Sequence, residues 1–204
     1  MTKNEEKLNV VSHLCGVFLA VLGTVVLLKN NTSKTEYSVF AICIYSAALI
    51  LLYSASSLYH NATKNTAKFK LRILDHISIY ALIAGTYTPV SLITLEQGNG
   101  WLIFYTVWGI ALIGSVLKIF FTGKFEWLSL VLYLAMGWLI VLDFQNLVLH
   151  TTTTEMVLLS LGGFFYTVGI LFYAVERIPY NHFIWHLFVL AGSIFHYFFI
   201  LELI

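Results

Sequence analysis

Long apolar runs separated by short polar interruptions make up nearly the whole chain. Seven runs reach the length of about 20 residues that a helix needs to cross a bilayer. They cover roughly residues 10–28, 37–60, 73–95, 101–121, 127–148, 155–175 and 182–203. Polar punctuation lies between them, at Lys29 to Glu36, Asn61 to Arg72, Glu96 to Gly100, Thr122 to Glu126, Leu149 to Thr154 and Glu176 to Asn181. None of these loops can hold a folded domain. The pattern predicts an all-α, polytopic membrane protein: a seven-transmembrane helix bundle forming one integral membrane domain over residues 1–204. Pro89, in Gly85-Thr86-Tyr87-Thr88-Pro89, should bend the third helix. Gly162-Gly163, and Gly109 with Gly114, should let helices approach closely.

Composition agrees with the pattern. Hydrophobic residues make up 59% of the chain and charged residues 10%, where a soluble domain carries about 25% charged. No nucleic-acid partner is expected; the expected partner is membrane lipid, as substrate or ligand. Lys3 and Lys7 ahead of the first run resemble the start of a signal peptide. No small-residue cleavage site follows Leu28, however, and more spans come after, so an uncleaved first helix is expected. Cys15 and Cys43 fall in apolar runs at opposite depths, which predicts buried thiols and no disulfide.

The distribution of charge orients the bundle. With the amino terminus cytoplasmic, Lys3, Lys7, Lys64, Lys68, Lys70, Arg72, Lys118, Lys124 and Arg177 all lie inside, and only Lys29 and Lys34 lie outside. This is a pronounced positive-inside bias, and with seven spans it puts the carboxyl terminus outside. The same topology makes a second prediction. His60 ends the second span, Asp75 starts the third, and His182 and His186 open the seventh, so all four sit at one depth near the inner face. The charge count did not require that coincidence.

His182 and His186 are four residues apart and share a helical face, as do Ser56 and His60. His60, His182 and His186 would offer three imidazole nitrogens, a set suited to zinc with an open fourth position. Zinc lowers the pKa of its water to about 7. Asp75 would hold that water and exchange its proton, and Ser56 would orient a ligand or donate to a developing oxyanion. Taken singly, each residue has a plainer reading. A histidine at a span end is ordinarily interfacial, and Asp75 beside His76 and Arg72 could be a helix-start carboxylate or a surface ion pair. An ionisable residue in a span is nevertheless a functional candidate by default. His13, entering the first span from the cytoplasmic side, is a candidate neighbour of the metal ligands, with packing or interface placement as the ordinary reading. His196 stands ten residues past His186, about 15 Å along a helix, too far to share an ion. His150 belongs to an outer loop, Asp143 and Gln145 to a solvated outer end, and Trp101 and Trp127 to interface belts.

These motifs together resemble the hemolysin III family, the bacterial branch of the progestin and adipoQ receptor proteins. They are Ser56-x-x-x-His60, Asp75-His76-Ile77-Ser78-Ile79-Tyr80 leading to Gly85-Thr86-Tyr87-Thr88-Pro89, and His182-x-x-x-His186. The opening Glu5-Glu6 with Asn9-Val10-Val11-Ser12-His13-Leu14-Cys15-Gly16 is similar too. So is the closing Phe188-Val189-Leu190-Ala191-Gly192-Ser193-Ile194-Phe195-His196. The resemblance implies a seven-helix bundle in a bacterial plasma membrane, with zinc near the cytoplasmic face. It implies that His60, His182 and His186 hold the metal and that Asp75 holds its water. Ceramidases in the wider superfamily imply hydrolysis of a lipid amide, and the family name implies cytolysis by pore formation; some bacterial members are linked to membrane-lipid homeostasis.

Three functions therefore stand open: a zinc-dependent hydrolase of lipid amides or esters, a pore-forming hemolysin, and a sensor in which zinc clips the second helix to the seventh. The absence of a repeated polar stripe along any span weighs against a water-filled channel.

Overall fold

The computed structural model describes every residue except Glu176, the first residue of the sixth expected loop, which lies outside the described residues. The elements are α1 (Lys3–Asn30), α2 (Ser38–Asn61), α3 (Asn65–Pro89) with a π-helical turn (Val90–Thr94), and α4 (Gly100–Phe121). Then come α5 (Glu126–Gly137), a 3-10 turn (Leu139–Asp143), α6 (Phe144–His150), α7 (Thr153–Ala174) and α8 (Asn181–Leu203). No strand occurs among the described residues. Counting α3 with its π turn, and α5 through α6, as one span each, seven helices among the described residues are long and apolar enough to cross a membrane. The protein is an all-α, multi-pass membrane protein, as the apolar runs predict.

Helices and apolar runs do not coincide everywhere. The polar stretch from Asn61 to Arg72, expected as a loop, is mostly helix, because α3 already begins at Asn65. Lysine, alanine and leucine are good helix formers, so the charged turns simply continue α3 past its apolar part. Hydropathy marks where a helix enters the bilayer, and the helix itself ends elsewhere. At the other end of α3, Pro89 has no N–H to give the preceding turn. The chain widens there into the π turn, closed by Leu95 N–H on the Val90 carbonyl at 3.0 Å.

The fifth span is broken in its middle. The Tyr87 hydroxyl donates to the Gly137 carbonyl at 2.9 Å and accepts the Ile140 N–H at 3.0 Å. It satisfies backbone groups that an unbroken helix would have paired internally, which matters where no water reaches them. Below the break, Asp143 accepts from the Asn99 backbone N–H at 3.1 Å and from the Asn99 side chain at 3.0 Å. The expected solvated end is thus a correction: Asp143 is buried and pins the α3–α4 connection to the fifth span.

Along α1, the inward face is chosen by size and polarity more than by hydrophobicity. The buried stripe of α1 is Asn9, Ser12, His13, Gly16, Ala20, Gly23 and Leu27, while Val11, Leu14, Phe18 and Val25 are exposed. Lipid tails are as apolar as a core, so large aliphatics gain nothing by turning inward. The same reasoning corrects the expectation for the thiols. Cys15 and Cys43 are free, as expected, but exposed on the outer surface of the bundle.

Candidate metal centre

His60 lies in the last turn of α2, and His182 and His186 lie in the first turns of α8. The start of α8 is set by Tyr180 in the left-handed region, φ 58°. It is also tied to α7 by the Asn181 side-chain amide donating to the Phe172 carbonyl at 3.0 Å. The three imidazole rings form a near-equilateral triangle, with centroids 5.0, 4.9 and 4.8 Å apart. One ring nitrogen from each lies within 4.8 Å of the others, and His60 Nε2 and His182 Nε2 are 3.2 Å apart. Tetrahedral zinc with nitrogen ligands at about 2.0–2.1 Å needs those nitrogens about 3.3 Å from one another. One edge of the triangle already has that length, and the donor set fits the metal. Among the described residues no fourth metal ligand joins the group.

The other predicted residues line one cavity with His182 and His186. His13 stacks on His186, centroids 3.7 Å apart and planes inclined by 11°. It is buried, and neither of its ring nitrogens has a hydrogen-bond partner. Asp75 is buried on α3, and Ser56 is buried on α2. Asp75 does not start a helix, since two full turns of α3 precede it. Ser56, Asp75, His13, His182 and His186 all line one cavity of about 1150 Å³. From there the cavity extends past Tyr87, Ile140, Leu147 and Phe199 toward the far end of the bundle. Trp138 and Phe164 line it although each is more than half exposed on the outer surface, so it opens sideways between α5–α6 and α7.

Four neighbours of the histidines were not singled out for a role from sequence. Glu6 lies 2.6 Å from His60 Nδ1, and its other oxygen accepts from Lys68 at 2.7 Å. Asn9 reaches the same ring nitrogen at 3.4 Å, and Ser12 lies 3.5 Å from His186 Nδ1. Glu6, Asn9 and His13 stand one turn apart each, which puts the polar positions at the start of α1 on one face, ahead of and just into its apolar run. That shared face was the available signal. A separate, half-buried network sits next to Asp75 in the chain: Glu126 takes the Lys118 ammonium at 2.5 Å and Arg72 at 3.4 Å, with His76 at 3.7 Å. His196 stays apart from the triangle, its Nε2 on the Leu159 carbonyl at 3.2 Å, and His150 is exposed at the end of α6.

Comparison with known proteins agrees with this architecture. A family described as Haemolysin-III related matches residues 1–197. The chain is 39% identical to Hemolysin-3 of Bacillus cereus, over 97% of its own length and 90% of the relative's. It is 40% identical to a Hemolysin-3 homolog of Bacillus subtilis, over 94% and 91%. The human Monocyte to macrophage differentiation factor is 27% identical, over 95% of this chain and 82% of that protein. By the extent of the family match and the identity to both bacterial relatives, the chain belongs to the haemolysin-III-related family.

Proposed function

We propose that the protein is a zinc-dependent hydrolase of lipid amide or ester bonds, with its centre at the cytoplasmic end of the bundle. One juxtaposition carries the reading. Two buried histidines and a half-buried one, with no fourth protein ligand among the described residues, lie together, and two of them, His182 and His186, share a mostly apolar cavity open to lipid with Asp75 and Ser56. A structural clip would close its shell with a fourth ligand; an open position is the catalytic pattern.

When bound, zinc supplies Lewis-acid polarisation of a carbonyl and an activated water nucleophile. Asp75 takes up the proton of the attacking water and returns it to the leaving nitrogen or oxygen. Ser56 holds the Asp75 carboxyl group and offers a hydroxyl to the developing oxyanion. The apolar walls hold the acyl chain and keep bulk water away from the scissile bond.

The test is metal content and lipid turnover of the purified protein, with fatty-acid release from N-acyl and O-acyl lipids followed by mass spectrometry. His60→Ala, His182→Ala and His186→Ala should lose both zinc and turnover. Asp75→Asn should keep zinc while turnover falls by about 10²–10⁴-fold. Full turnover in the three histidine variants would sink the reading. The Bacillus cereus relative is named a hemolysin, and a pore is the competing reading. The walls of the cavity are mostly apolar, which disfavours a conducting path for water and ions. Conductance across a planar bilayer that chelators leave unchanged would favour the pore.

A further inference from the structure

We infer that Glu6 is the positioning residue of the metal centre and that Lys68 holds it in place. The first turns of α1 and the extended start of α3 would then together set the geometry of His60. The inference rests on the metal reading above.

The His60 side chain is fully buried, and the strongest polar contact of its Nδ1 is the Glu6 carboxylate at 2.6 Å. An ionised carboxylate only accepts, so it keeps the imidazole proton on Nδ1 and leaves the lone pair on Nε2. Nε2 is the nitrogen that faces His182, at 3.2 Å. Without the carboxylate the proton is free to sit on Nε2, where it blocks ligation, and the ring is free to turn. Asn9, buried against the same Nδ1 at 3.4 Å, has an amide that can present either its oxygen or its nitrogen. It cannot replace the charge.

Glu6 is itself held from the opposite side. Lys68 donates to its second oxygen at 2.7 Å and lies 5.4 Å from the centre of the Tyr59 ring. Lys68 belongs to the charged turns of α3 that hydropathy alone reads as a loop. Arg72, one turn further on the same face, takes Glu126 of α5. Helical continuation of α3 beyond the apolar run is what aims Lys68 at α1 and Arg72 at α5. An ordinary exposed ion pair contributes little; this one ends on a buried ring that carries a metal-facing nitrogen, as carboxylate–histidine–metal arrangements do.

The experiment uses the full-length protein in detergent. Zinc affinity is measured by chelator competition, and ligand geometry by the visible absorption bands of the cobalt-substituted protein. Wild type should bind one metal and His186→Ala none. Glu6→Ala should bind about tenfold to a hundredfold more weakly, with shifted cobalt bands. Glu6→Gln, which keeps an acceptor oxygen of the same shape, should be partly rescued, and Lys68→Met should weaken binding less than Glu6→Ala. Lys7→Ala, an exposed neighbour, should match wild type. Wild-type affinity and unchanged cobalt bands in both Glu6 variants, with metal still lost from His186→Ala, would overturn the inference alone. A comparable loss in Lys7→Ala would also overturn it. A wild-type protein that takes up no metal would overturn the metal reading together with it.

Discussion

Gly16 and Tyr53 illustrate how single positions decide the packing of this bundle. A Cβ built on Gly16 would lie 2.7 Å from Cγ of the Tyr53 ring. Gly23 faces Tyr197 at 2.7 Å and Gly192 faces Tyr166 at 3.0 Å in the same way. Of the glycines expected to let helices approach closely, Gly114 likewise faces a ring, that of Tyr80, and nothing stands within 4 Å of Gly109. The pair at 162 and 163 separates the two cases. Gly162 faces the His196 ring within collision distance, whereas nothing stands within 4 Å of Gly163. Gly162→Ala should therefore lower unfolding stability by about 1–3 kcal/mol, and Gly163→Ala should leave it unchanged, as read by denaturant unfolding in detergent. Ser56 supports a second prediction at this scale. Ser56→Ala removes the hydroxyl proposed to hold Asp75 while leaving all three histidines, so zinc content should hold and turnover should fall.

At the scale of elements, the helix ends and the helix break carry the information that hydropathy missed. Lys64 to Arg72 is polar enough to look like a loop, yet its residue types favour helix and its side chains find partners on α1 and α5. The break in the fifth span depends on one hydroxyl arriving from another helix. Tyr87→Phe removes the donor to Gly137 and the acceptor for Ile140, leaving two backbone groups unpaired in an apolar setting. The expected loss is about 1–3 kcal/mol for each group left unsatisfied. Hydrogen exchange should report it locally, with the Ile140 amide losing protection well before amides of α2. Unchanged protection at Ile140 would mean that the break does not depend on Tyr87.

For the molecule as a whole, the charge asymmetry and the cavity each carry a prediction. Nine basic residues against two favour an inside amino terminus. Reporter fusions should accordingly place residue 1 in the cytoplasm and residue 204 outside; the opposite result would move the proposed centre to the outer leaflet. The cavity makes a second prediction. Gly163 lines it and has free space around its α-carbon, so Gly163→Trp should fill part of the acyl path. Turnover of long-chain lipids should drop while zinc content stays at the wild-type level. Equal turnover of all chain lengths in that variant would argue that the acyl chain lies elsewhere.

Seven spans, their approximate limits and their charge asymmetry were legible in the chain itself, because the cost of putting a polar group into hydrocarbon acts residue by residue. His60, Asp75, His182 and His186 could be grouped before any coordinates, since membrane crossing converts sequence position into depth. Depth says nothing about rotation around a helix axis. Only the folded bundle decided that Cys15 and Cys43 face outward, that Gly16 seats Tyr53, that Asp143 is buried, and that Glu6 meets His60. Lipid and protein core are both apolar, so hydrophobicity cannot tell a helix which face to turn inward; shape and polar pairing between helices make that choice.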